Sequence, residues 1–378
     1  MQALREAGWR GRNKNYIFSW NSFLKKQKAG RHCRSAAKIM NRACLSRKAF
    51  ATFAARKKTQ RIMIKILAND GMEADAVKAL TEAGFQVQTE KINPEALPSR
   101  INDFEVLTVR SATKVRKELI DQMTRTRLII RGGVGLDNID VEYAQSKGIT
   151  VRNTPLASSL SVAELVFAHL FGLARFLHDS NRQMPVNGSS QFNELKKKYT
   201  NGFELRGKTL GLIGFGNIGA ETARIAIGLG MKVMAFDVFP STRNLRLQLP
   251  DDQTLVLPLT TTDKERVLEN ADFISIHAAG SQEVLSREDF ERMKTGVVII
   301  NCARGGVIKE EVLLEFLNKG KVSFAGLDVY EEEPTRNTAL LQHPRVSLTP
   351  HIGASTLEAQ KRIGEEVVSI IKGFEFKM

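Results

Sequence analysis

A chain of 378 residues has room for two domains with well-buried cores, and 42% hydrophobic with 26% charged residues is typical of soluble globular proteins. No apolar run approaches the roughly 18 residues that a membrane span requires, so no membrane partner is expected. Three cysteines at unrelated spacings form neither a disulfide framework nor a zinc site, and no other metal site is expected.

The net charge of +15 comes from the first 60 residues. That segment holds 16 of the 56 Lys and Arg residues but one of the 41 acidic residues, so the remainder carries 40 charges of each sign. A neutral body of this kind predicts no nucleic-acid-binding surface.

Residues 1–60 show no sustained apolar period and are expected to form a basic, unstructured leader outside the fold. A basic segment so poor in acidic residues is typical of an organellar transit peptide, best from Met40 onward. Alternatively, Met63 is the true start, because it already belongs to the first predicted strand. A nucleic-acid-binding tail is a third interpretation. We expect a cytoplasmic location, or the mitochondrial or another organelle matrix if the leader is a transit peptide.

From Arg61 the sequence alternates strands with helices, which favours a parallel sheet flanked by helices. Strands are predicted at 62–68, 85–89, 104–110, 127–131 and 149–153. Helices are predicted at 73–83, 114–124 and 140–147. A long helix at Ser159–His178 is apolar on several sides and is expected to be buried between domains or subunits. The polar stretch 185–206 is predicted to be a loop.

A second α/β array opens with an apolar strand that runs into the glycine-rich stretch 214–219. Gly214 permits a sharp turn, Gly216 lets the backbone approach a pyrophosphate, and Gly219 lets the next helix pack closely on the sheet. The N-terminus of that helix favours phosphate groups. Strand, glycines, helix and second strand stand in the order that a dinucleotide-binding unit requires, and the second strand ends at Asp237.

Asp237 is placed to accept hydrogen bonds from a ribose 2′-hydroxyl. No Arg or Lys follows it before Arg243, so a 2′-phosphate would meet a carboxylate without a nearby cation. NAD is therefore expected rather than NADP. Further strands of this array are predicted near 254–258, 272–277, 297–301, 322–328 and 345–349, and a last helix over Thr356–Lys372.

Three side chains of this second array match the needs of hydride transfer from an alcohol to NAD. The reaction needs a base for the hydroxyl proton, a cation for the substrate carboxylate, and an acid that orients the base. His351, Arg304 and Glu333 supply these groups. Taken singly, His351 is typical of a structural histidine, Arg304 of a surface arginine and Glu333 of a solvated acidic run. Each of them, however, follows the carboxyl end of a strand of the same array, where ligands bind.

From about Arg61 to Lys372 the chain resembles the D-isomer-specific 2-hydroxyacid dehydrogenases, most closely the members that oxidise D-3-phosphoglycerate in serine biosynthesis. The resemblance is carried by ordered segments at 109–113, 131–138, 153–155, 214–219, 301–306, 326–329, 333–334 and 349–353. The resemblance implies an α/β fold of two doubly wound parallel-sheet domains. It also implies a homodimer in which the long helix forms part of the interface. A flavodoxin-like substrate domain would span 61–155 and be completed by 350–378, with a Rossmann NAD-binding domain over 156–349.

The resemblance also implies roles for single residues. His351 would be the acid/base, Glu333 its partner and Arg304 the substrate anchor. Asp237 would bind the adenosine ribose and Asp328 the nicotinamide carboxamide. The substrate-binding residues would be Arg110, Ser111, Gly133, Val134, Gly135 and Arg175, with Arg110 and Arg175 proposed from their positions as contacts of a phosphate. The cofactor-binding residues would be Val134, Gly214, Gly216, Asn217, Ile218, Gly219, Asp237, His277, Ala303, Asp328 and Gly353.

Two other functions stay open. The first is another activity within the family, such as a hydroxypyruvate or glyoxylate reductase or a D-lactate-type dehydrogenase. The second is an NAD-sensing corepressor that keeps the fold without catalysis. Because the sequence ends at Met378, directly after the last helix, we expect no serine feedback through an appended regulatory domain.

Overall fold

A computed structural model of the chain describes residues 63–280 and 282–376. The basic leader at 1–60, with its three interpretations, lies outside the described residues. So do Ile62, where the first strand was predicted to begin, and residues 377–378 of the segment predicted to complete the substrate domain.

The strands are β1 (Lys65–Ala68), β2 (Gln86–Gln88), β3 (Val106–Val109), β4 (Leu128–Arg131), β5 (Thr150–Asn153), β6 (Thr209–Ile213), β7 (Lys232–Phe236), β8 (Thr242–Gln248), β9 (Thr254–Thr260), β10 (Phe273–Ile276), β11 (Val297–Asn301), β12 (Val322–Leu327) and β13 (Val346–Leu348). The α-helices are α1 (Ala74–Glu82), α2 (Leu97–Arg100), α3 (Lys117–Ile120), α4 (Val141–Ser146), α5 (Ser159–Ala174), α6 (Leu177–Asn187), α7 (Phe192–Lys198), α8 (Asn217–Gly228), α9 (Lys264–Asn270), α10 (Arg287–Arg292), α11 (Glu310–Asn318), α12 (Thr338–Leu341) and α13 (Leu357–Gly373). Short 3₁₀ turns lie at Ile101–Asp103 and Gly305–Val307.

The first sheet has the strand order β2-β1-β3-β4-β5, and all of its strand pairs are parallel. This order is the flavodoxin-like one. Apolar side chains cover both faces, as expected for a parallel sheet whose strands are buried throughout. The last helix, α13, packs against α1, and its Ile363, Val367 and Ile371 are buried in the cluster on one face.

The second sheet has the order β7-β6-β10-β11-β12-β13, again with parallel pairs only. The chain starts at β6 and adds strands on both of its sides, so the crevice for a ligand opens at the carboxyl end of β6. α5 packs across β12 and against α8, with ten of its 16 residues buried. The predicted α/β class with two doubly wound parallel sheets is confirmed.

Three predicted elements differ from the structure. The strand predicted at 254–258 exists as β9, but it pairs antiparallel with β8 in a sheet of its own. The long helix ends at Ala174, because Phe176 adopts a left-handed backbone with φ of 56° that breaks the hydrogen-bond ladder. The predicted loop at 185–206 contains the end of α6, which runs through Pro185, and all of α7.

Among the described residues, no single helix has both the length and the apolar character needed to cross a membrane. The pair α5 and α6, bent by 55°, passes that test only when its two helices are joined.

Candidate functional site

Two of the three predicted glycines of the turn after β6, Gly214 and Gly219, occupy positions that a side chain would disturb. Gly214 has φ of +100°, and a β-carbon there would lie 2.7 Å from the backbone carbon of His277. A β-carbon at Gly219, on the first turn of α8, would lie 2.5 Å from the carbonyl oxygen of Gly214. At Gly216 a β-carbon would point into open space, which leaves the backbone free to approach a ligand.

The residues around this turn fit an NAD molecule. α8 starts after Gly216, which has no side chain to cap its first N–H groups, so they are available to a pyrophosphate. The Asp237 carboxylate closes β7 and accepts hydrogen bonds from the backbone N–H groups of Phe215 (2.6 Å) and Phe239 (3.0 Å). His277 is half-buried, and its enclosed Nδ1 has no hydrogen-bond partner among the described residues. Burial lowers the pKa of His277 to about 3, so the imidazole is neutral.

The glycine turn has a cation beside it. Arg243 is brought there by the hairpin of β8 and β9. Its Nη1 lies 3.5 Å from Oδ1 of Asn217, and its guanidinium lies 5.9 Å from the ring centre of Phe215. The hairpin places the cation there, and this pairing was not predicted.

A cleft of about 330 Å³ lies between the carboxyl ends of the two sheets and is called the central cleft below. Nine predicted site residues line it: Val134, Gly135, Ile218, His277, Ala303, Arg304, Asp328, His351 and Gly353. They come from segments up to 219 residues apart in the sequence. The structure therefore brings His351, Arg304 and, from the glycine turn, Ile218 to one cavity, whose volume is that of a small-molecule site.

His351 and Glu333 form a hydrogen-bonded pair at the mouth of the central cleft. Nδ1 of His351 lies 2.7 Å from Oε2 of Glu333, and their side chains are 43% and 40% exposed. Because a carboxylate only accepts, Nδ1 carries the proton and Nε2 is the ring nitrogen left for a ligand. His351 has φ of 54°, a left-handed backbone that is uncommon outside glycine. An oriented imidazole of this kind can exchange a proton with a bound hydroxyl or carbonyl group.

Arg304 leaves β11 and lies beside the loop 132–138. Its Nε donates to Oδ2 of Asp137 at 2.8 Å, and its Nη1 donates to the carbonyl oxygen of Ala303 at 2.7 Å. Nη2 lies against Gly135, where a β-carbon would collide with it and lie 2.7 Å from Cζ of Arg304. The absence of a side chain at Gly135 therefore makes the space in which this guanidinium can face a carboxylate.

A second guanidinium, which the sequence did not single out, shares this loop. Arg131 is the last residue of β4, and a β-carbon at Gly133 would lie 2.6 Å from its Cζ. Arg131 lines the central cleft, and its buried Nε has no hydrogen-bond partner in the described part of the chain. Burial and then the neighbouring Arg304 lower the pKa of Arg131 to about 10, so it remains charged at neutral pH.

Arg110 and Ser111 do not line the central cleft. Arg110 lines a neighbouring cavity together with Asp70, Glu73 and Gly132, and its backbone N–H donates to Oδ2 of Asp70 at 2.7 Å. Ser111 is exposed. Arg110 is still close enough to Arg131 for the two charges to repel.

Arg175, predicted as a contact of the substrate phosphate, does not line the central cleft. Arg175 follows the C-terminus of α5, while Ser158 and Val162 at the other end of that helix line the central cleft. A helix of 16 residues is about 24 Å long, at roughly 1.5 Å per residue. Arg175 lies instead near Gly202.

Arg131 and Asp137 are the charged residues of the cleft to which the sequence assigned no role. The rule that ligands lie beyond the carboxyl ends of strands pointed to the loop from Gly132, one residue after Arg131. Including the last residue of each strand would have found Arg131. Nothing in the sequence pairs Asp137 with Arg304, since the two are 167 residues apart. Among the described residues, no group of three His, Cys, Asp or Glu side chains could hold a metal ion.

Comparison with known proteins gives matches along most of the chain. The family model described as "D-isomer specific 2-hydroxyacid dehydrogenase, NAD binding domain" matches residues 167–353. The hydroxypyruvate reductase of Thermotoga maritima is 41% identical over 314 residues, which cover 81% of this chain and 97% of that protein. The D-3-phosphoglycerate dehydrogenase of Methanocaldococcus jannaschii is 39% identical over 316 residues, or 82% of this chain. The chain spans 57% of the length of that second relative.

Among solved structures, a glyoxylate reductase from Paecilomyes thermophila superposes with a TM-score of 0.70 at 27% identity. The match covers 82% of this chain and 95% of the other. It therefore extends beyond the part of the chain that the family model matches.

Proposed function

The chain belongs to the D-isomer-specific 2-hydroxyacid dehydrogenase family, and we propose that it oxidises D-3-phosphoglycerate to 3-phosphohydroxypyruvate with NAD. As a member of that family it is an NAD-dependent oxidoreductase. The observation that carries the proposed chemistry is the pairing of Nδ1 of His351 with Glu333 at the cleft that Arg304 also lines.

The proposed chemistry follows from the free atoms of these side chains. Bound NAD⁺ supplies the hydride acceptor. Nε2 of His351 takes the proton of the substrate hydroxyl as the carbon–oxygen bond becomes a carbonyl, and it returns that proton in the reverse direction. Glu333 holds the imidazole through Nδ1 and balances the charge that it gains. The guanidinium of Arg304 binds the substrate carboxylate and fixes the hydroxyl-bearing carbon between His351 and the cofactor.

A phosphorylated substrate is supported by the second guanidinium of the cleft. Arg304 already has Asp137 as a partner, whereas Nε of Arg131 is buried without one among the described residues. A buried N–H donor without a partner is unfavourable, and an anionic group of a ligand would supply the missing acceptor. A substrate with a carboxylate and a phosphate provides one anion for each guanidinium, and Arg110 is near enough to add to the field on the phosphate side.

Hydroxypyruvate is the second candidate substrate. It is favoured by the 41% identity to the Thermotoga maritima hydroxypyruvate reductase, of which the chain covers 97%. Hydroxypyruvate has the same carboxylate and carbonyl groups but no phosphate, so it would use Arg304 and leave Arg131 unpaired.

The deciding experiment follows NADH absorbance with 3-phosphohydroxypyruvate, hydroxypyruvate, glyoxylate and pyruvate. We expect the highest kcat/KM with 3-phosphohydroxypyruvate, and loss of turnover in His351→Ala. Arg131→Met should lower kcat/KM for the phosphorylated substrate by roughly 10²-fold, since an unmet charge costs about 2–5 kcal/mol, and change the value for hydroxypyruvate much less. A higher kcat/KM for hydroxypyruvate would select the second candidate. Inactivity with all four and NADH would favour a non-catalytic NAD sensor.

We also propose that the protein is a homodimer, assembled through the face formed by α5, α6 and α7. Six large apolar side chains of these helices are between 41% and 75% exposed in the single chain: Leu160, Phe171, Leu177, Met184, Val186 and Phe192. Apolar patches of this kind on a soluble protein mark interaction sites. Light scattering of the purified protein should give twice the chain mass, and Leu177→Asp should give the monomer mass.

A further inference from the structure

A series of side-chain hydrogen bonds runs from the middle of α5 to the loop that carries His351. Nδ1 of His169 lies 2.9 Å from Oγ of Ser347, and its Nε2 lies 3.1 Å from Oγ1 of Thr349. The Thr349 hydroxyl donates to Oδ1 of Asp328 at 2.6 Å. His169 and Asp328 are 3% and 1% exposed, and Ser347 and Thr349 are half-buried.

The available protons fix which group donates in each hydrogen bond of this series. The one hydroxyl proton of Thr349 goes to Asp328, so Thr349 can only accept from His169, and Nε2 of His169 must carry a proton. Burial holds the pKa of His169 at about 4, so the ring is neutral and its Nδ1 is an acceptor. Nδ1 then accepts from the Ser347 hydroxyl.

Asp328, the last residue of this hydrogen-bond series, holds the backbone on both sides of His351. Oδ1 of Asp328 also accepts from the N–H of Ile352 at 2.8 Å, and Oδ2 accepts from the N–H of Gly353 at 2.8 Å. Asp328 therefore binds Thr349, which precedes His351, and the two residues that follow it. His351 itself has the left-handed φ of 54°. A strained residue of this kind persists when its neighbours are fixed.

We propose that His169 is a positioning residue for the reaction: its Nε2–H tautomer directs the Thr349 hydroxyl to Asp328, and Asp328 holds the His351 loop in its strained, reactive conformation. This inference rests on the proposed function for the role of His351. It assigns a task to a histidine on α5, which has no access to the cofactor or substrate because its ring is enclosed by Ser347, Thr349 and Gly326.

The test removes the central hydroxyl and keeps the side-chain shape. Thr349→Val should lower kcat roughly tenfold to a hundredfold, because a shift of about 1 Å in a catalytic group costs as much as 10²-fold. The KM values for NADH and the 2-oxo acid should change less than about twofold, since substrate and cofactor contacts remain. Thr349→Ser keeps the hydroxyl and should restore kcat. His169→Gln, measured alongside, should lower kcat in the same direction.

Hydrogen exchange supplies a readout that needs no turnover. Without cofactor, the amides of Ile352 and Gly353 should exchange faster in Thr349→Val than in wild type and in Thr349→Ser. Thr126→Val is the matched control, since Thr126 is also buried and bonds the carbonyl oxygen of Phe104 far from this loop. It should leave both kcat and those two amides unchanged.

The outcomes separate the two proposals. An inactive wild-type protein would overturn the proposed function, while faster exchange in Thr349→Val would still support the hydrogen-bond chain. Wild-type kcat together with wild-type amide exchange in Thr349→Val would overturn the role of His169. So would a Thr349→Ser variant as slow as Thr349→Val, because the hydroxyl would then not be the group that matters.

Discussion

The space that Gly135 makes for Arg304 predicts a variant that keeps its fold and loses activity. The backbone of Gly135 does not lie in the left-handed region, so alanine can adopt its conformation. The new β-carbon would collide with Nη2 of Arg304, and it would lie 2.7 Å from Cζ of Arg304 and 2.6 Å from Oδ2 of Asp137. Atoms in contact need roughly 3.5 Å, so the Arg304 head group must move by about 1 Å or more.

The cost to stability should be small. Arg304 is a flexible side chain, and its pairing with Asp137, whose side chain is 53% exposed, contributes about 0–1 kcal/mol. Replacing glycine by alanine lowers the conformational entropy of the unfolded chain, which stabilises the folded protein by about 0.4–1 kcal/mol. The free energy of unfolding of Gly135→Ala should therefore lie within about 1 kcal/mol of the wild-type value.

The cost to catalysis should be much larger, because the guanidinium would no longer face the substrate carboxylate. A displacement of about 1 Å corresponds to roughly a 10²-fold loss of kcat/KM, or about 2.7 kcal/mol. Urea unfolding and NADH-coupled kinetics on the same preparation measure the two quantities. Gly228→Ala is the control, because a β-carbon at that helical position meets no heavy atom within 4 Å and should leave kcat/KM unchanged.

A double variant isolates the cause. If Gly135→Ala acts only by displacing the guanidinium, it should cost little more once Arg304→Met has removed that group. Wild-type kcat/KM in a folded Gly135→Ala protein would refute the reasoning, because the collision with Arg304 would then have no consequence for the reaction.

Three further predictions concern the cofactor end, acid stability and the cleft thiol. Asp237→Asn should raise the dissociation constant of NADH about tenfold, because an amide binds the ribose hydroxyls less firmly than a carboxylate does. It should also reduce the ratio between the dissociation constants of NADPH and NADH, because an amide does not repel the 2′-phosphate. Fluorescence titrations with both nucleotides measure these constants. The pKa of His169 falls from 6.5 to about 4 on folding, so the unfolded chain binds more protons between these values. This one group should lower the free energy of unfolding by about 3 kcal/mol from pH 7 to pH 4, and urea unfolding should show a loss smaller by that amount in His169→Gln. His277, whose pKa also falls, should add to the loss in both proteins. Burial and then Asp328 raise the pKa of the Cys302 thiol, so iodoacetamide should label that residue only in unfolded protein, as peptide mass spectrometry would show.

The dinucleotide-binding unit could be predicted from sequence because its determinants are local. The apolar strand, the three glycines and the acid at the end of the next strand lie within 30 residues, and parallel sheets bring the carboxyl ends of their strands together. That second rule also placed Arg304, Glu333 and His351 near one edge. The domain boundaries at 155/156 and 349/350 stay a prediction, supported by the separate hydrophobic clusters that cover the two sheets.

The pairing of β8 with β9 in a hairpin could not be predicted from the local sequence. Pro258 in β9 cannot donate a backbone hydrogen bond, which restricts that strand to an edge or a small sheet. The apolar run around it still reads as one more strand of the parallel array. Only the pairing with β8, in which Arg243 lies on the same side of the strand as Leu245 and Leu247, explains why Arg243 reaches the glycine turn.

The conformation of His351 depends on contacts that no local pattern contains. A left-handed backbone costs a residue other than glycine about 1–2 kcal/mol, while each hydrogen bond to the Asp328 carboxylate contributes roughly 1.5–3 kcal/mol. The three donors, from Thr349, Ile352 and Gly353, therefore outweigh the strain without help from a ligand. It follows that the imidazole is oriented before substrate arrives, and that its orientation depends on β12, which supplies Asp328, and on α5, which supplies His169. A substitution on α5, remote in sequence from the glycine turn and from the histidine loop, should thus change kcat through geometry alone.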